Sequence, residues 1–192
     1  MRQQGGGPHA TDVISRAKEG APDALASLWR AHNPALLRYF RGRLGDGAED
    51  LAQQTWLDAA RNLGRFEGDE VDFQRWLFTI GRRRLVDEQR RRGRRGAVLQ
   101  AEPPDSPTDD WSYGLIDDLD RALALVRRLP GDQADAVLLR IVADLDVAQV
   151  AAIMGRNESS VRLLVHRGLR RLERLVEVHE TTRSDAAINW GQ

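Results

Sequence analysis

The chain has 192 residues, of which 41% are hydrophobic and 30% are charged, and this composition supports one globular domain or two small ones. It contains no cysteine, so disulfides and thiolate metal sites are excluded, and its four histidines show no spacing suited to a metal ion. No apolar run approaches the roughly 18 residues of a transmembrane helix, and the first residues lack the apolar core of a signal peptide. We therefore expect a soluble cytoplasmic protein without membrane insertion.

The net charge of zero conceals a strong segregation of charge along the chain. Residues 82–95 hold eight arginines and two acids, whereas residues 102–120 hold seven acids and neither Lys nor Arg. The acidic segment also contains three prolines and few apolar residues, so it cannot bury enough surface to fold alone. We interpret residues 96–116 as a flexible acidic linker between two folded units.

Helical periodicity dominates on both sides of this linker, and no sustained strand pattern occurs. After a disordered tail over residues 1–11, we predict four helices, over residues 12–19, 24–43, 48–63 and 73–92. Asp23 is a suitable N-cap for the second helix, and Pro34 within it predicts a kink or a break. Apolar spacing predicts the following inward positions: Leu25, Leu28, Trp29, Leu36, Leu37, Phe40, Leu51, Thr55, Ala59, Leu63, Phe73, Trp76, Leu77 and Ile80.

Beyond the linker, the pattern predicts a second helical unit over residues 117–178 and a polar tail over residues 179–192. Helices are expected over residues 119–128 and 133–142, on either side of Pro130 and Gly131, and a pair of helices joined by a tight turn follows. In that turn, Gly155 is placed for a left-handed C-cap and Asn157 for the N-cap of the last helix. The predicted fold class is all-α, with two small helical domains.

The last helix is amphipathic, with arginines opposite its apolar side. The apolar side is expected to comprise Val161, Leu164, Val165, Gly168, Leu169, Leu172, Leu175 and Val176. The opposite face comprises Ser159, Arg162, Leu163, His166, Arg167, Arg170, Arg171 and Arg174. A helix-turn-helix places its second helix in the DNA major groove, where arginine reads guanine and an apolar group contacts a thymine methyl. A helical hairpin whose arginines are only solvated is the alternative.

Two further patterns lie in the first unit. Residues 49–54 place Glu49, Asp50 and Gln53 on an exposed face, where they either complement the helix dipole or form a charged contact site for another protein. Residues 66–87 combine aromatic and basic side chains, a combination that suits unstacked bases and a single-strand backbone, although most of these aromatics are expected in the core. We take Phe78 and the loop at residues 67–72 as candidates for base contact, and the arginine cluster at residues 90–95 as a candidate for phosphate contact.

The order of these pieces resembles the extracytoplasmic-function (ECF) group of bacterial sigma factors, in the sigma-70 family. The resemblance spans residues 23–175 and rests on AEDLAQQTWLDAARNLGRF, FQRWLFTIGRRRLVDEQRR, the acidic linker and LPGDQADAVLLRIVADLDVAQVAAIMGRNESSVRLLVHRGLRRL. It implies a region 2 over residues 12–95 that binds and melts the minus-ten element, and a region 4 over residues 117–178 that binds the minus-thirty-five element. Together they would bind core RNA polymerase and direct promoter-specific initiation.

The same resemblance implies the partners. These are core RNA polymerase, through the clamp helices of its largest subunit and the flap of its beta subunit, together with promoter DNA and an anti-sigma factor. No cofactor is implied, and the protein is not expected to be an enzyme. The linker corresponds to the segment that threads toward the active cleft of the polymerase, where its acids could mimic nucleic acid.

Roles for individual residues also follow from the resemblance. The polymerase-binding residues are Glu49, Asp50 and Gln53. The minus-ten DNA-binding residues are Phe66, Glu67, Arg75, Phe78, Arg82, Arg83 and Arg90. The minus-thirty-five DNA-binding residues are Asn157, Ser159, Ser160, Arg162, Leu163, His166, Arg167 and Arg170. Arg83 stands where the family often has Asn, and Leu163-Leu164 where it often has a polar and a basic residue, so no promoter sequence is implied.

Other hypotheses stay open from the sequence. An operator-binding regulator would need only the helix-turn-helix and would leave the basic aromatic helix and the linker unexplained. An enzyme could place a metal on the carboxylates of residues 109–120, but these lie in or beside the linker rather than on rigid elements, and no Gly-rich phosphate loop accompanies them. A compact inactive state, in which the acids of the linker cover the basic helices, is a hypothesis of regulation.

Overall fold

The computed structural model describes the backbone of residues 9–99 and 118–188, and the side chains of residues 13–94 and 118–177. Within these ranges the chain forms helices and no strand, which confirms the predicted all-α class. The helices are α1 His9–Lys18, α2 Pro22–Leu44, α3 Ala48–Asn62, α4 Glu70–Leu99, α5 Asp118–Arg127, α6 Gly131–Val137, α7 Val147–Met154 and α8 Glu158–Ile188. A 3₁₀ turn, Leu63–Arg65, follows α3, and a π-helical turn, Leu138–Val142, continues α6.

Most of the predicted linker, residues 100–116, lies outside the described residues. None of the helices in the described part of the chain is both long and apolar enough to cross a membrane.

Helix α2 differs from its prediction at two positions. Pro22 occupies its first turn, where a missing amide hydrogen costs nothing, so the helix begins before Asp23. Asp23 lies inside the first turn and pairs with Arg16, so its predicted role as an N-cap is wrong. Pro34 does not break the helix, which is continuous from Pro22 to Leu44, because an exposed proline ring removes only one hydrogen bond of the helix.

Helix α4 begins three residues earlier than predicted. The carboxylate of Asp69 accepts a hydrogen bond from the amide of Asp72 at 3.0 Å, and the Asp69 carbonyl accepts from the amide of Phe73 at 2.9 Å. These bonds satisfy orphan amides of the first turn, which stabilises the helix start. The helix then continues past the predicted end to Leu99.

Helices α1–α4 enclose the core of the first unit. Its largest fully buried side chains are Leu28, Leu36, Tyr39, Phe40, Phe73, Leu77, Phe78 and Leu85. The predicted inward residues of the third helix, Leu51, Thr55 and Ala59, are buried as expected. The prediction for Trp29 is wrong, because this side chain is 50% exposed on the side of α2 that faces a groove rather than the core.

The second unit contains the predicted helix-turn-helix, α7 and α8. Gly155 adopts a left-handed conformation with φ of 63°, and the side-chain oxygen of Asn157 accepts a hydrogen bond from the amide of Ser160 at 2.8 Å. Both turn predictions are confirmed. Helix α7 also has a capping box that the sequence analysis did not identify, in which Asp146 and Gln149 exchange hydrogen bonds of 2.7 and 2.8 Å.

Helix α8 buries a narrower stripe than predicted. Val161 and Gly168 are buried, whereas Leu169 and Val176 are 39% and 40% exposed, so their assignment to the buried side is wrong. The physical reason is the close approach of α6 at Gly168, where a Cβ atom would lie 2.7 Å from a methyl of Val137. Packing at that point turns the neighbouring position, Leu169, toward solvent.

The two helical units pack against each other. Helices α5 and α6 and the π-helical turn lie against α2, and α7 lies against α4. The approach is closest at Gly42 of α2, where a Cβ atom would lie 2.8 Å from a methyl of Leu138. The buried apolar residues of both units form one hydrophobic cluster, so the two units share an interface that the sequence analysis did not predict.

Candidate functional site: an apolar groove and two basic surfaces

An apolar groove of about 720 Å³ lies between α2 and α3. Its walls include Trp29 and Leu57, which are 50% and 49% exposed, together with the half-buried Trp56. Exposed apolar side chains grouped in a groove make this surface a candidate docking site for another macromolecule. Two of the predicted polymerase-binding residues, Glu49 and Gln53, also line the groove.

The three predicted polymerase-binding residues are exposed together on the first two turns of α3. Glu49 accepts hydrogen bonds of 2.7 and 3.1 Å from the guanidinium of Arg41, and this bonding lowers the pKa of the Glu49 carboxyl. Asp50 forms no ion pair within the described residues, so its charge is available to a partner. Sequence reasoning missed Trp29 and Leu57, because the apolar spacing of Trp29 matched that of a core residue.

A polar pocket of about 620 Å³ lies between α3 and α4. The rings of Phe66 and Trp76 pack there with centroids 5.0 Å apart, and Phe66 is only 6% exposed. Arg83 lines the same pocket, is exposed, and forms no ion pair within the described part of the chain. An aromatic surface beside a free guanidinium suits an unstacked base and the phosphate next to it.

The predicted minus-ten residues do not all meet at this pocket. Phe78 is fully buried, with its ring edge-on to Tyr39 at 5.8 Å, so the prediction that it contacts a base is wrong. It follows Leu77 on the inward side of α4, and packing fixes it in the core. Arg82 turns toward the second helical unit, where it pairs with Asp135 at 3.2 Å.

Of the predicted minus-ten set, only Phe66 and Arg83 line the polar pocket. Glu67 and Arg90 are exposed elsewhere, and Arg75 pairs with Asp72 at 3.0 Å. The pocket is also lined by residues outside the predicted minus-ten set, among them Arg65, Trp76 and Arg91. Of these, Arg91 belongs to the arginine cluster at residues 90–95 that is predicted to contact phosphate. The spacing of Trp76 fits the apolar stripe of α4 and predicts a core position, but the side chain is half-buried.

The second basic surface is the outward face of α8. Every residue of the predicted minus-thirty-five set is exposed except Ser160, which is half-buried and donates the capping hydrogen bond to Asn157. Arg162 pairs with Glu158 at 2.6 Å and Arg170 with Glu173 at 3.3 Å, both on the surface of the same helix. Arg167 forms no ion pair with any described residue. Leu163, 46% exposed, lies among these cations.

Unpaired arginines concentrated on one helix repel one another until an anion approaches, and a phosphate backbone supplies such an anion. The turn geometry of α7 and α8 fits a helix-turn-helix, which presents its second helix to the major groove. Within the described residues, no group of three or more His, Asp or Glu could hold a metal ion. Of the acids considered for an enzyme, Asp118 and Asp120 lie on α5, and residues 109, 110 and 117 lie outside the described residues.

Comparison with protein families and curated proteins agrees with this geometry. The Sigma-70 region 2 family matches residues 28–95, and the Sigma-70, region 4 family matches residues 119–172. The chain is 32% identical over 179 residues to the ECF RNA polymerase sigma factor ShbA of Streptomyces griseus subsp. griseus, a match that covers 86% of this chain and 94% of ShbA. It is 33% identical over 174 residues to the ECF RNA polymerase sigma factor BldN of Streptomyces coelicolor, covering 86% of this chain and 65% of BldN, slightly under two thirds of that protein's length.

Two solved structures have similar folds. The sigma factor RpoE in complex with the anti-sigma factor NepR, from Bartonella quintana, superposes with a TM-score of 0.64 and 28% identity, over 84% of this chain and 98% of RpoE. CnrH in complex with the cytosolic domain of CnrY gives the same TM-score, 0.64, at 22% identity, over 88% of this chain and 97% of CnrH. At that identity the second match indicates the fold alone.

Proposed function

This chain belongs to the ECF group of RNA polymerase sigma factors, and from that premise we propose that it binds core RNA polymerase and directs promoter-specific initiation of transcription. One observation carries the proposal: a single chain presents an apolar groove bordered by carboxylates on one unit and a helix-turn-helix with unpaired arginines on the other. A polymerase subunit that reads DNA needs both surfaces. Region 2 would span residues 12–95 and region 4 residues 117–178.

The groove is the proposed site for the clamp helices of the largest polymerase subunit. Trp29 and Leu57 offer apolar surface to a helix, since each is about half exposed. Glu49, Asp50 and Gln53 at the edge would pair with basic and polar side chains on that helix. Apolar anchors surrounded by charged groups are the usual arrangement of a protein interface with a few dominant contacts.

Two DNA contacts are proposed. Arg162, His166 and Arg167 of α8 read the minus-thirty-five element in the major groove, as an exposed recognition face allows. The pocket formed by Phe66, Trp76 and Arg83 receives an unstacked base of the minus-ten element, supported by the ring packing and the free guanidinium.

An anti-sigma factor is a further proposed partner. RpoE, whose structure superposes on this chain, was solved with the anti-sigma factor NepR. The beta-subunit flap is the proposed partner of region 4 within the polymerase. The proposals for the anti-sigma factor and for the flap both rest on family membership. An anti-sigma factor that covered the apolar groove would block the proposed polymerase contact.

The test is run-off transcription by purified core polymerase on a genomic DNA library. The wild-type protein should support initiation at a defined set of promoters, and those promoters should share minus-ten and minus-thirty-five sequences. Leu57→Arg should abolish binding to core polymerase in the absence of DNA, because it places a charge in the groove. Val71→Arg is the matched control, since Val71 is 61% exposed and does not line the groove.

Absence of any transcript with the wild-type protein would refute the proposal. Equal polymerase binding by Leu57→Arg and Val71→Arg would refute the groove as the contact. Operator binding without polymerase is the competing function, and tight sequence-specific binding to duplex DNA by the free chain would favour it. Family membership argues against it, and operator binding by the helix-turn-helix alone would leave the groove and its neighbouring carboxylates without a role.

A further inference from the structure

Asp135 of α6 is the most deeply buried acid described in the molecule, with its side chain only 4% exposed. Its two carboxylate oxygens accept three hydrogen bonds, and all three donors belong to the other helical unit. The Nε of Arg43 donates at 2.7 Å and the hydroxyl of Tyr39 at 3.1 Å to one oxygen, and the Nε of Arg82 donates at 3.2 Å to the other. This carboxylate therefore joins region 4 to region 2.

The donors are buried by the same contact. The side chains of Arg43 and Arg82 are 9% and 21% exposed, and Tyr39 is fully buried. Burial, followed by the nearby Asp135 carboxylate, raises the pKa of Tyr39 well above its ordinary value, which keeps the hydroxyl protonated as a donor. A buried charge is tolerated only when it is paired and hydrogen-bonded, and these four side chains satisfy one another only while the two regions are in contact.

Apolar and polar contacts surround this cluster. Gly42 of α2 lies under Leu138, and a Cβ atom there would come within 2.8 Å of the leucine. The side-chain amide of Gln74 donates to the carbonyl of Ala143 at 2.6 Å. The guanidinium of Arg127 donates to the carbonyl of Arg41 at 2.9 Å. The interface is thus closely packed, with its charged groups at the centre.

The closed arrangement conflicts with reading a promoter. The minus-ten and minus-thirty-five elements lie about 25 base pairs apart, which is roughly 85 Å of duplex at 3.4 Å per base pair. A domain of about 90 residues has a radius of gyration of about 12 Å, so two such domains in contact have centres roughly 30 Å apart. The two regions cannot remain docked while each occupies its own element.

We propose that Asp135 is the latch of an autoinhibitory interface, in which region 4 docks on the Tyr39–Arg43–Arg82 surface of region 2 and the free sigma factor is held closed. This inference rests on the proposed function, because the closed state would inhibit the proposed promoter-specific initiation. Arg82, predicted to contact minus-ten DNA, is held by Asp135 until the regions separate. The acids of residues 102–110, expected to cover the basic helices, lie outside the described residues. Among the described residues of region 4, Asp135 is an acid that pairs with an arginine of α4.

The groove between α2 and α3 stays open in the closed state. Polymerase can therefore make its first contact while the latch is shut, and separation of the regions follows. Because only the open fraction is fully competent, the apparent dissociation constant equals that of the open protein divided by the open fraction, so a smaller open fraction weakens binding.

The experiment measures the distance between the regions in the free full-length chain. The protein has no cysteine, so Ala31→Cys and Ala152→Cys, both at exposed positions, can carry a pair of spin labels or fluorophores. The otherwise unchanged protein should give a short, narrow distance distribution. Asp135→Asn, which removes the charge but keeps the shape, should shift at least half of the molecules to long, broad distances. Asp132→Asn is the matched control, since its partner Arg156 lies in the same region, and it should leave the distribution unchanged.

A second variant tests the same interface without touching the charges. In the closed state, the side chain introduced by Gly42→Gln would clash with Leu138, whereas in the open state it would lie in solvent. The substitution should therefore also favour the open state. Helix content by circular dichroism must match the wild type for either variant to count as opened rather than unfolded. Both variants should bind core polymerase about 3- to 10-fold more tightly than wild type.

The proposal is overturned if the wild-type distribution is already long and broad, or if folded Asp135→Asn and Gly42→Gln both keep the short distance. It is also overturned if both open the protein without any gain in affinity for polymerase. These outcomes are separate from failure of the proposed function, because the distances are measured without polymerase or DNA. A chain that closes through Asp135 but never initiates transcription would leave the latch intact and refute the sigma-factor activity.

Discussion

Helices α4 and α8 have similar lengths, 30 and 31 residues, and both are rich in arginine, yet their arginines have different partners. Some arginines of α4 pair within the helix, as Arg92 does with Glu88 at 3.0 Å. In addition, acids from other elements hold two guanidinium groups of α4: Asp135 of α6 pairs with Arg82, and Asp58 of α3 accepts from Arg84 at 2.6 Å. On α8, Arg162 and Arg170 pair with glutamates of the same helix.

The difference shows that the number of charges on a helix does not determine what the charges do. Arginines paired across elements hold the fold together, since breaking a partly buried pair leaves a charge without its partner. Exposed pairs within one helix contribute little to stability, so a phosphate can displace the glutamate at small cost. We conclude that α4 is mainly anchored in the protein and that α8 is mainly available to DNA.

The largest expected effect is on the free energy of unfolding, when one leucine of α4 and one leucine of α8 are each replaced by alanine. Leu85 of α4 is fully buried and Leu169 of α8 is 39% exposed. Leu85→Ala should lower the free energy of unfolding by about 2–5 kcal/mol, because it leaves a cavity. Leu169→Ala should change it by less than about 0.5 kcal/mol. Urea denaturation followed by circular dichroism measures both, and equal losses would contradict the view that α8 is peripheral.

The next effect concerns the arginines themselves. Arg167→Ala should weaken binding of the minus-thirty-five element by about 1–3 kcal/mol if the side chain reads a base. If it contacts phosphate instead, all sequences should weaken alike and the slope of the salt dependence should fall by about 1. Arg84→Ala is the control from α4, and it should leave this binding unchanged because Asp58 already holds its guanidinium. Fluorescence anisotropy at several salt concentrations distinguishes these results.

A smaller effect on the free energy of unfolding is expected from the N-terminal caps of α8 and α4, which are of the same type. Asn157 accepts from the amide of Ser160 at 2.8 Å before α8, and Asp69 accepts from the amide of Asp72 at 3.0 Å before α4. Asn157→Ala and Asp69→Ala should each lower the free energy of unfolding by about 1 kcal/mol. Only Asn157→Ala should also weaken minus-thirty-five binding. Asn157→Ser, which keeps a capping oxygen, should restore both properties.

The smallest effect is a dependence of stability on pH. His32 packs against Phe73 of α4, and burial lowers its pKa below the ordinary value of 6.5, although nearby Glu70 opposes the shift. As pH falls below 6.5, the unfolded chain therefore takes up a proton before the folded chain does, and the folded state loses stability. Thermal melts between pH 5 and pH 7 should show this loss, and His32→Gln should reduce it. His166→Gln on exposed α8 is the control; if it removes the same pH dependence, the assignment to His32 fails.

The residues that sequence reasoning placed correctly depend on local patterns. The turn at Gly155 and Asn157 and the exposed arginines of α8 follow from helix caps and from the period of one helix. The predictions for Trp29 and Phe78 are both wrong, and in opposite directions: Trp29 is predicted to be buried and is exposed, whereas Phe78 is predicted to contact a base and is buried. Apolar spacing along one helix does not determine which apolar residues are covered by other helices. In the folded chain Trp29 lines a groove and Phe78 packs on Tyr39.

The sequence by itself determined the helical class, the helix-turn-helix and the family, because each of these depends on patterns among residues that are close together in the chain. Only the tertiary structure decided which charges are free. Asp135 lies 53 residues from Arg82 and 92 from Arg43, and no local pattern pairs them. The pairing arises because packing of α6 on α2 and α4 removes water from all three side chains, and a buried carboxylate must then be matched by the nearest cations.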